Sequence, residues 1–495
     1  MLALATAVAA WLRLAHLGTW SMWIDEAHTW RDARMPWAML DPDRKLYALT
    51  FTLLRQLLDG GWIAGDEFSL RLPFAIVGIV TIPLLALCGR RLIGAWPAIL
   101  AAWFWAVNPW HVYWSQNARG YVLMLAFATV AANRAFAWID SHRARDFFAM
   151  ILAIAVGSAW HPTGALQVAG VAAFVLLRRG RSVARVVVLA VGVAVGTPLL
   201  VRRLPFQGFV AAKDDPSLLH FAQTAAFYYG PLILILAAAG LVLGRERFGR
   251  DRSLLLACLW LVPLFVLSVI AASVVKVTAR YSLCTLPLVS WLAASTCARV
   301  GVAVLGGATV GAVARVLGAL MLPALVLVES AVQTFAYHGD RRGDRARWKE
   351  AVEFVRERAG QRPIRVVAVT HPIAVYYLRP EHWSSGPENP YPDIVVWPLL
   401  DWMLRDGVDE QKRKVCEPGA ASQFRWHAAQ AERDGAAFFV MVTLPELAEM
   451  DTLDENGGKG AVLRLLSTEY DLVLHLPCWV GPKDESVYVF APRRE

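Results

Sequence analysis

The chain has 495 residues, 57% of them hydrophobic and only 18% charged, where soluble domains carry about 45–50% and about 25%. The mean hydropathy of +0.44 is unevenly spread, with apolar blocks filling residues 1–330 and an ordinary soluble pattern over 335–495, which excludes a wholly soluble protein. The net charge of +9 does not imply a nucleic-acid partner, because much of the basic excess sits in short loops between the apolar blocks.

A spanning helix needs about 20 apolar residues to cross roughly 30 Å of hydrocarbon. Blocks at 2–17, 70–88, 95–108, 120–138, 147–160, 163–177, 184–201, 229–243, 253–273, 281–298 and 303–329 predict a polytopic α-helical membrane protein with about eleven spans. The first block lacks a basic leader and a small-residue cleavage site, so it reads as an anchor rather than a signal peptide. The stretch 44–58 puts Leu46, Leu49, Leu53, Leu54 and Leu57 on one face beside Arg44, Lys45, Arg55 and Gln56, an interfacial pattern. Arginines cluster in alternate loops, at Arg90–Arg91, Arg143 and Arg145, Arg178 to Arg185, and Arg245 to Arg252. The positive-inside rule places those loops and the N-terminus in the cytoplasm. The loops 18–69, 109–119, 161–162, 202–228 and 274–280 then lie outside, and so do residues 331–495. The expected location is a cell membrane, crossed many times. Arg13 and Arg315 are the ionisable exceptions within spans, Arg315 near the middle of the last.

The expected division is a membrane domain over 1–330 and an extracytoplasmic domain over 331–495. Trp348–Arg358 reads as an amphipathic helix. Ile364–Thr370, Ala374–Leu378, Ile394–Val396, Ala437–Val442, Tyr470–Leu476 and Ser486–Phe490 read as strands. Pro445–Met450 and Lys459–Leu466 look helical, which makes this an α/β domain. It has no phosphate loop and no nucleophile elbow. Cys416 and Cys478 fall in it and are candidates for a disulfide if it lies outside the cytoplasm.

Polar groups are costly in a membrane protein, so their positions are informative. The first outside loop, Trp20 to Arg34, holds most of them. A helix starting near Asp25 puts Asp25, His28, Thr29 and Asp32 on one face. Such a carboxylate beside a histidine serves as a general base toward a hydroxyl or as a ligand for a divalent cation. The alternative is that Asp25 is an N-cap and the nearby tryptophans an interfacial belt. The second outside loop, Asn108 to Tyr121, gathers His111, Tyr113, Gln116, Asn117, Arg119 and Tyr121. Arg119 either binds a phosphate bidentately or anchors a helix end. His161, Tyr228–Tyr229, Lys276 and Arg280–Tyr281 face the same side.

Three stretches together resemble the GT-C fold membrane glycosyltransferases, the group with the protein O-mannosyltransferases and the lipid A aminoarabinose transferase. They are Asp25-Glu26, then Glu67-Phe-Ser-Leu-Arg-Leu-Pro to Gly94, then Asn108-Pro to Tyr113-Trp-Ser-Gln-Asn-Ala-Arg119-Gly-Tyr121. Arg280-Tyr281 before a Pro-containing span matches too, and the likeness covers roughly 1–350. The resemblance implies transfer of a sugar from a polyprenyl-phosphate carrier to an acceptor hydroxyl outside the cytoplasm, with inversion. The acceptor class, lipid, protein or glycan, stays open. Asp25 would be the catalytic carboxylate, supported by Glu26. Arg119, Arg280 and Lys276 would hold the carrier phosphate, and His28, His111, Tyr113, Gln116, Asn117, Tyr121, His161 and Tyr281 would line the cavity. A divalent ion, Mg or Mn, held in part by Asp25 is compatible with this chemistry and not required by it. Two departures stand out. Asn117 occupies a place that is often acidic in relatives, and Asp43-Arg-Lys45 replaces a His-Pro-Pro-like turn. The rival reading is a transporter or lipid flippase without transferase activity.

Overall fold

The apolar blocks become helices, and their ends are set by local chemistry. Residues 1–40, 44–178, 217–273, 277–305, 312–368, 371–378, 394–398, 420–443 and 461–493 are described by a computed structural model. They divide into two units, one within Met1–Gly18, Pro36–Leu204 and Asp214–Asp340, the other within Thr19–Met35 and Arg341–Glu495. The first outside loop is thus split. Its first half, with Asp25, belongs to the same unit as the C-terminal sheet.

In the first unit, Glu67–Ile93, Tyr121–Ser141, Phe248–Ala272, Ala279–Leu305 and Val313–His338 are each long and apolar enough to cross a membrane. Leu218–Tyr229 and Pro231–Leu243 form a further span only as a pair, bent by 92°. Gly230 makes the bend at φ +86, a conformation open to glycine, and Pro231 starts the next helix. Tyr228 and Tyr229 therefore end a helix of their own rather than lie in a loop before a span. Leu2–Leu14, Ala95–Ala106 and Pro162–Leu177 are shorter apolar helices, and the segment 184–201 lies outside the described residues. The interfacial stretch is a short 3-10 turn, Arg44–Tyr47, followed by the helix Ala48–Asp59.

Buried polar side chains close the helix ends of this unit. Arg13, fully buried, donates to the carbonyls of Trp105 at 2.9 Å and Ala106 at 3.0 Å. These are among the last carbonyls of Ala95–Ala106, which have no partner inside their own helix. Arg71 does the same for Leu17 O at 2.9 Å. Gln116 donates to Leu12, Arg13 and Ala15 carbonyls and accepts from the Tyr337 hydroxyl at 2.7 Å. Arg13 is thus a helix-end clamp, not a charge on a transport path. The last helix runs Ala312–His338, so Arg315 falls in its first turn rather than at mid-span. The arginine-rich loops also converge. Asp140 pairs with both Arg91 and Arg252, and Arg178 pairs with Asp251 at 2.7 Å.

In the second unit, a five-stranded sheet has the order β2-β1-β3-β7-β4, formed by β1 Ile364–Ala368, β2 Ile394–Pro398, β3 Ala437–Thr443, β4 Tyr470–Leu476 and β7 Val487–Pro492. A two-residue ribbon, β5 Trp479–Val480 with β6 Lys483–Asp484, precedes β7. Strands β2, β1 and β3 are parallel, and β7 runs antiparallel to β3 and β4. Ala420–Arg433 and Ala461–Glu469 cover one face, and Phe424, Val440, Val442, Leu465 and Leu466 are buried there. The expected strand at Ala374–Leu378 is instead a helix, His371–Leu378. Pro372 in the first turn presets a helical φ, and the helix packs on Ile24–Arg34. Cys478 forms no disulfide among the described residues. Cys416 and Pro445–Met450 lie outside them.

Candidate active site

Asp25 lies in the first turn of the helix Ile24–Arg34. Acidic residues open this helix and Arg31 and Arg34 close it, which suits the helix dipole at both ends. Pro36 ends it by forcing Met35 into extended backbone, ψ 142. The N-cap is Trp23, so Asp25 is not the cap. The cap interaction belongs to Glu26, whose carboxylate accepts from Trp23 N–H at 2.9 Å. Glu26 is also paired with Arg345 at 3.3 Å, with both side chains essentially buried. Asp32 is fully buried and pairs with Arg31 at 2.8 Å, and Thr29 turns its hydroxyl back to Asp25 O. The four-residue polar face is therefore divided. Thr29 and Asp32 are buried, whereas Asp25 and His28 are half-buried. The Asp25 carboxylate makes no ion pair or hydrogen bond with any described residue.

In the first unit, Asn108 and Pro109 open a short helix, Pro109–Ser115, with the Asn108 side chain accepting from His111 N–H at 2.9 Å. The chain then turns through Asn117 to Gly120 into the long helix Tyr121–Ser141. Gly120 passes so close to the Trp160 carbonyl that a Cβ there would collide with it. This approach brings the turn against His161. Tyr121 stacks on the His161 ring at 3.7 Å, and Trp114 lies on Tyr121 at 3.8 Å. The Arg119 guanidinium lies over the Tyr47 ring at 4.4 Å, with Tyr47 itself 5.4 Å from His161. Arg280 comes from the turn Ala279–Thr285, which packs on Tyr121–Ser141 and on the turn Pro162–Ala165. It donates to the Tyr281 hydroxyl at 2.9 Å.

His161 reports on the charge of this cluster. Burial, then Arg119 and Arg280, hold it well below the usual imidazole range. It is neutral, and its Nδ1 accepts the Thr163 N–H at 3.4 Å with the Thr163 hydroxyl 2.8 Å away. That assigns the ring proton to Nε2, which is buried and has no hydrogen-bond partner among the described residues. The Asn117 amide is fully buried, and neither of its polar atoms has a partner there either. Arg119, Arg280, Tyr281, Tyr121 and His161 are therefore brought together, with Asn117 in the same turn as Arg119. His111 is elsewhere, fully buried, with Nδ1 2.6 Å from Arg13 and Nε2 3.0 Å from Thr81. Gln116 is spent on the helix ends, and Tyr113 packs edge-on against Trp114 and Tyr337. Lys276 lies outside the described residues.

Among the described residues the acids around Asp25 do not assemble a ligand set for a divalent ion. Such an ion needs several oxygen ligands, and Glu26 and Asp32 are committed to arginines. Among the described residues no three His, Cys, Asp or Glu side chains are grouped to hold a metal. Sequence reasoning missed Tyr47 and Arg345. Tyr47 was detectable only as an aromatic in the interfacial stretch, and Arg345 carries no local signal.

The family described as dolichyl-phosphate-mannose-protein mannosyltransferase matches residues 62–202. No curated protein matches the chain in sequence. Among solved structures, the oligosaccharyltransferase of Archaeoglobus fulgidus in the apo form is similar at TM-score 0.58 and 14% identity, covering 93% of this chain and 71% of that one. ArnT from Cupriavidus metallidurans in the apo state is similar at TM-score 0.54 and 15% identity, covering 99% and 97%. ArnT bound to undecaprenyl phosphate gives TM-score 0.51 and 14% identity over the same shares. The fold is that of the GT-C membrane glycosyltransferases.

Proposed function

We propose that this protein transfers a sugar from a polyprenyl-phosphate carrier to an acceptor hydroxyl on the extracytoplasmic side of a cell membrane, with inversion at the anomeric carbon. The carrying observation is geometric: Arg119 lies over Tyr47, which with Tyr121 borders the buried His161 ring, and the turn that carries Arg280 packs on the same elements. Two guanidiniums and an unused N–H together form a donor set that an anion would satisfy. A lipid-linked monophosphate supplies that anion, and the solved relatives include one bound to undecaprenyl phosphate.

In this reading the acceptor hydroxyl gives its proton to Asp25 as its oxygen attacks the anomeric carbon. The bond from that carbon to the carrier phosphate breaks, and the electron pair leaves with the phosphate. Arg119 and Arg280, with Lys276 as a further candidate, stabilise the growing negative charge, an effect often the largest in catalysis. His161 donates through Nε2. Tyr121, Tyr281 and Tyr47 wall the cradle, and His28 stands one helical turn from Asp25. The Thr19–Met35 segment and the C-terminal sheet act on the extracytoplasmic side. Purified protein in proteoliposomes with a polyprenyl-phosphate sugar tests the whole reading. Sugar appearing on an acceptor with release of polyprenyl phosphate is the expected outcome. Passage of the lipid or sugar across the bilayer without transfer would establish the transporter instead.

His161 gives a second test. His161→Gln keeps a terminal N–H donor and should retain most transfer, whereas His161→Phe keeps the stacking and should lose about 10²–10³-fold in kcat, the scale of removing one preorganised donor. Equal rates for the two variants would remove His161 from the cradle. The neutral ring also sets a pH dependence. The unfolded chain takes up a proton below about 6.5 and the folded His161 resists it. The stability it contributes is thus complete above that value and falls as the pH drops below it.

A further inference from the structure

The C-terminal domain is bound to the Asp25 helix by more than shared membership of one unit. Five contacts converge on residues 20–30, from two stretches of the domain, 343–349 and the helix His371–Leu378. Glu26 meets Arg345 in a buried pair, and Arg345 is itself fixed by its bond to Gly343 O at 2.8 Å. The Ser21 hydroxyl accepts from Lys349 N–H at 2.9 Å. It thereby caps the helix Trp348–Ala359, whose own N-cap residue makes no side-chain bond. Met22 N–H donates to the Tyr377 hydroxyl at 2.7 Å. Trp30 meets Tyr376 edge-on at 5.1 Å. The Gly343 backbone, at φ +71, sits where any Cβ would strike the Trp20 ring. The first turn, which carries Asp25, is thus fixed at its cap by Glu26 and just upstream by Ser21 and Met22.

We infer that the C-terminal α/β domain is a positioning device for Asp25, acting through Arg345, Tyr377 and the capped helix Trp348–Ala359. This rests on the reading of Asp25 as the base. It assigns the domain a role in kcat and none in holding the lipid carrier. Arg345 is a positioning residue that touches Asp25's helix through Glu26, and Tyr377 one that holds the segment just before it through Met22; neither touches the reacting atoms. The Glu26 Oε2 accepts the cap N–H and faces Arg345, so the second acid of the Asp25-Glu26 pair is here the attachment point of the domain.

The test uses the full chain in proteoliposomes, with Ser21→Ala/Tyr377→Phe as the mild variant and Arg345→Gln beside Arg345→Lys as the stronger pair. Readouts are kcat, KM for the lipid donor, the unfolding midpoint, and hydrogen exchange of residues 24–34. The expected result for Ser21→Ala/Tyr377→Phe is faster exchange over 24–34 and a kcat lower by about 10–100-fold, the scale of small misplacements, with KM unchanged and the midpoint lowered only by the small amount that a lost cap costs. Arg345→Lys should recover part of what Arg345→Gln loses. Unchanged exchange in the mild variant, or faster exchange with normal kcat, overturns the inference, as does an effect confined to KM. Asp25→Asn, measured in parallel, separates the two failures. If it transfers normally, the assignment of the base is wrong. If it is inactive while the mild variant has normal kcat, only the positioning role is wrong.

Discussion

Asp25→Asn should yield a protein that inserts, folds and binds the lipid donor like the parent, with transfer reduced by about 10²–10⁴-fold, the usual contribution of a positioned base. The amide keeps the shape and removes the basicity. Because the Asp25 carboxylate has no partner among the described residues, its loss strands no neighbour. The stability change should be limited to the helix-dipole contribution, about 0.3–1 kcal/mol. Its neighbour offers the control. Glu26→Gln leaves Arg345 buried without its counter-charge, and breaking such a pair typically costs about 3–5 kcal/mol. The two adjacent acids should separate in two assays, steady-state transfer for Asp25 and thermal unfolding for Glu26. Near-parental transfer by Asp25→Asn would end the assignment of the base. A large fall in its unfolding midpoint would make Asp25 a structural residue.

The contrast shows which parts of the molecule can be read along the chain and which cannot. The helix carrying Asp25 was legible because acid at one end, base at the other and Pro36 beyond are all local signals. So were the β-branched runs of β1 and β3, whereas Pro109–Ser115, read as part of a loop, is a short helix. Burial and pairing were not. Thr29 and Asp32 share a helical face with Asp25, yet they turn inward, and period alone cannot distinguish a solvated polar face from one packed against a distant domain. His371–Leu378 shows the opposite error, with Ile373, Val375 and two tyrosines suggesting a strand where Pro372 and packing on the Asp25 helix produce about two helical turns. Arg13, suspect as a charge within a span, is explained only by the carbonyls of a helix more than 90 residues away. His111 was grouped with Arg119 by proximity in sequence, but the short helix Pro109–Ser115 carries it into the interior, against Arg13.

Removing the cradle's cations should produce the second large effect, and one different in kind. Arg119→Gln and Arg280→Gln are each expected to lower kcat by about 10²–10³-fold, as when a preorganised donor to developing charge is lost. Each should also raise KM for the lipid donor, because the phosphate is charged before the bond breaks as well as after. Asp25→Asn should leave that KM alone, so the two classes of variant separate on one plot. Arg119→Lys should recover little. Its guanidinium carbon lies over the Tyr47 ring at 4.4 Å, and a lysine does not reproduce a guanidinium's contact with an aromatic face or its two-pronged grip on a phosphate. Tyr47→Leu should then resemble a weak Arg119 variant, with higher KM and modest loss of kcat, since it frees the guanidinium without removing it. Inorganic phosphate or a short polyprenyl phosphate should inhibit the parent and lose potency in both glutamine variants. If Arg119→Gln only reduces the amount of protein in the membrane and leaves both constants of the surviving enzyme intact, Arg119 is an anchor of the helix end, and the carrier phosphate must be held by other groups.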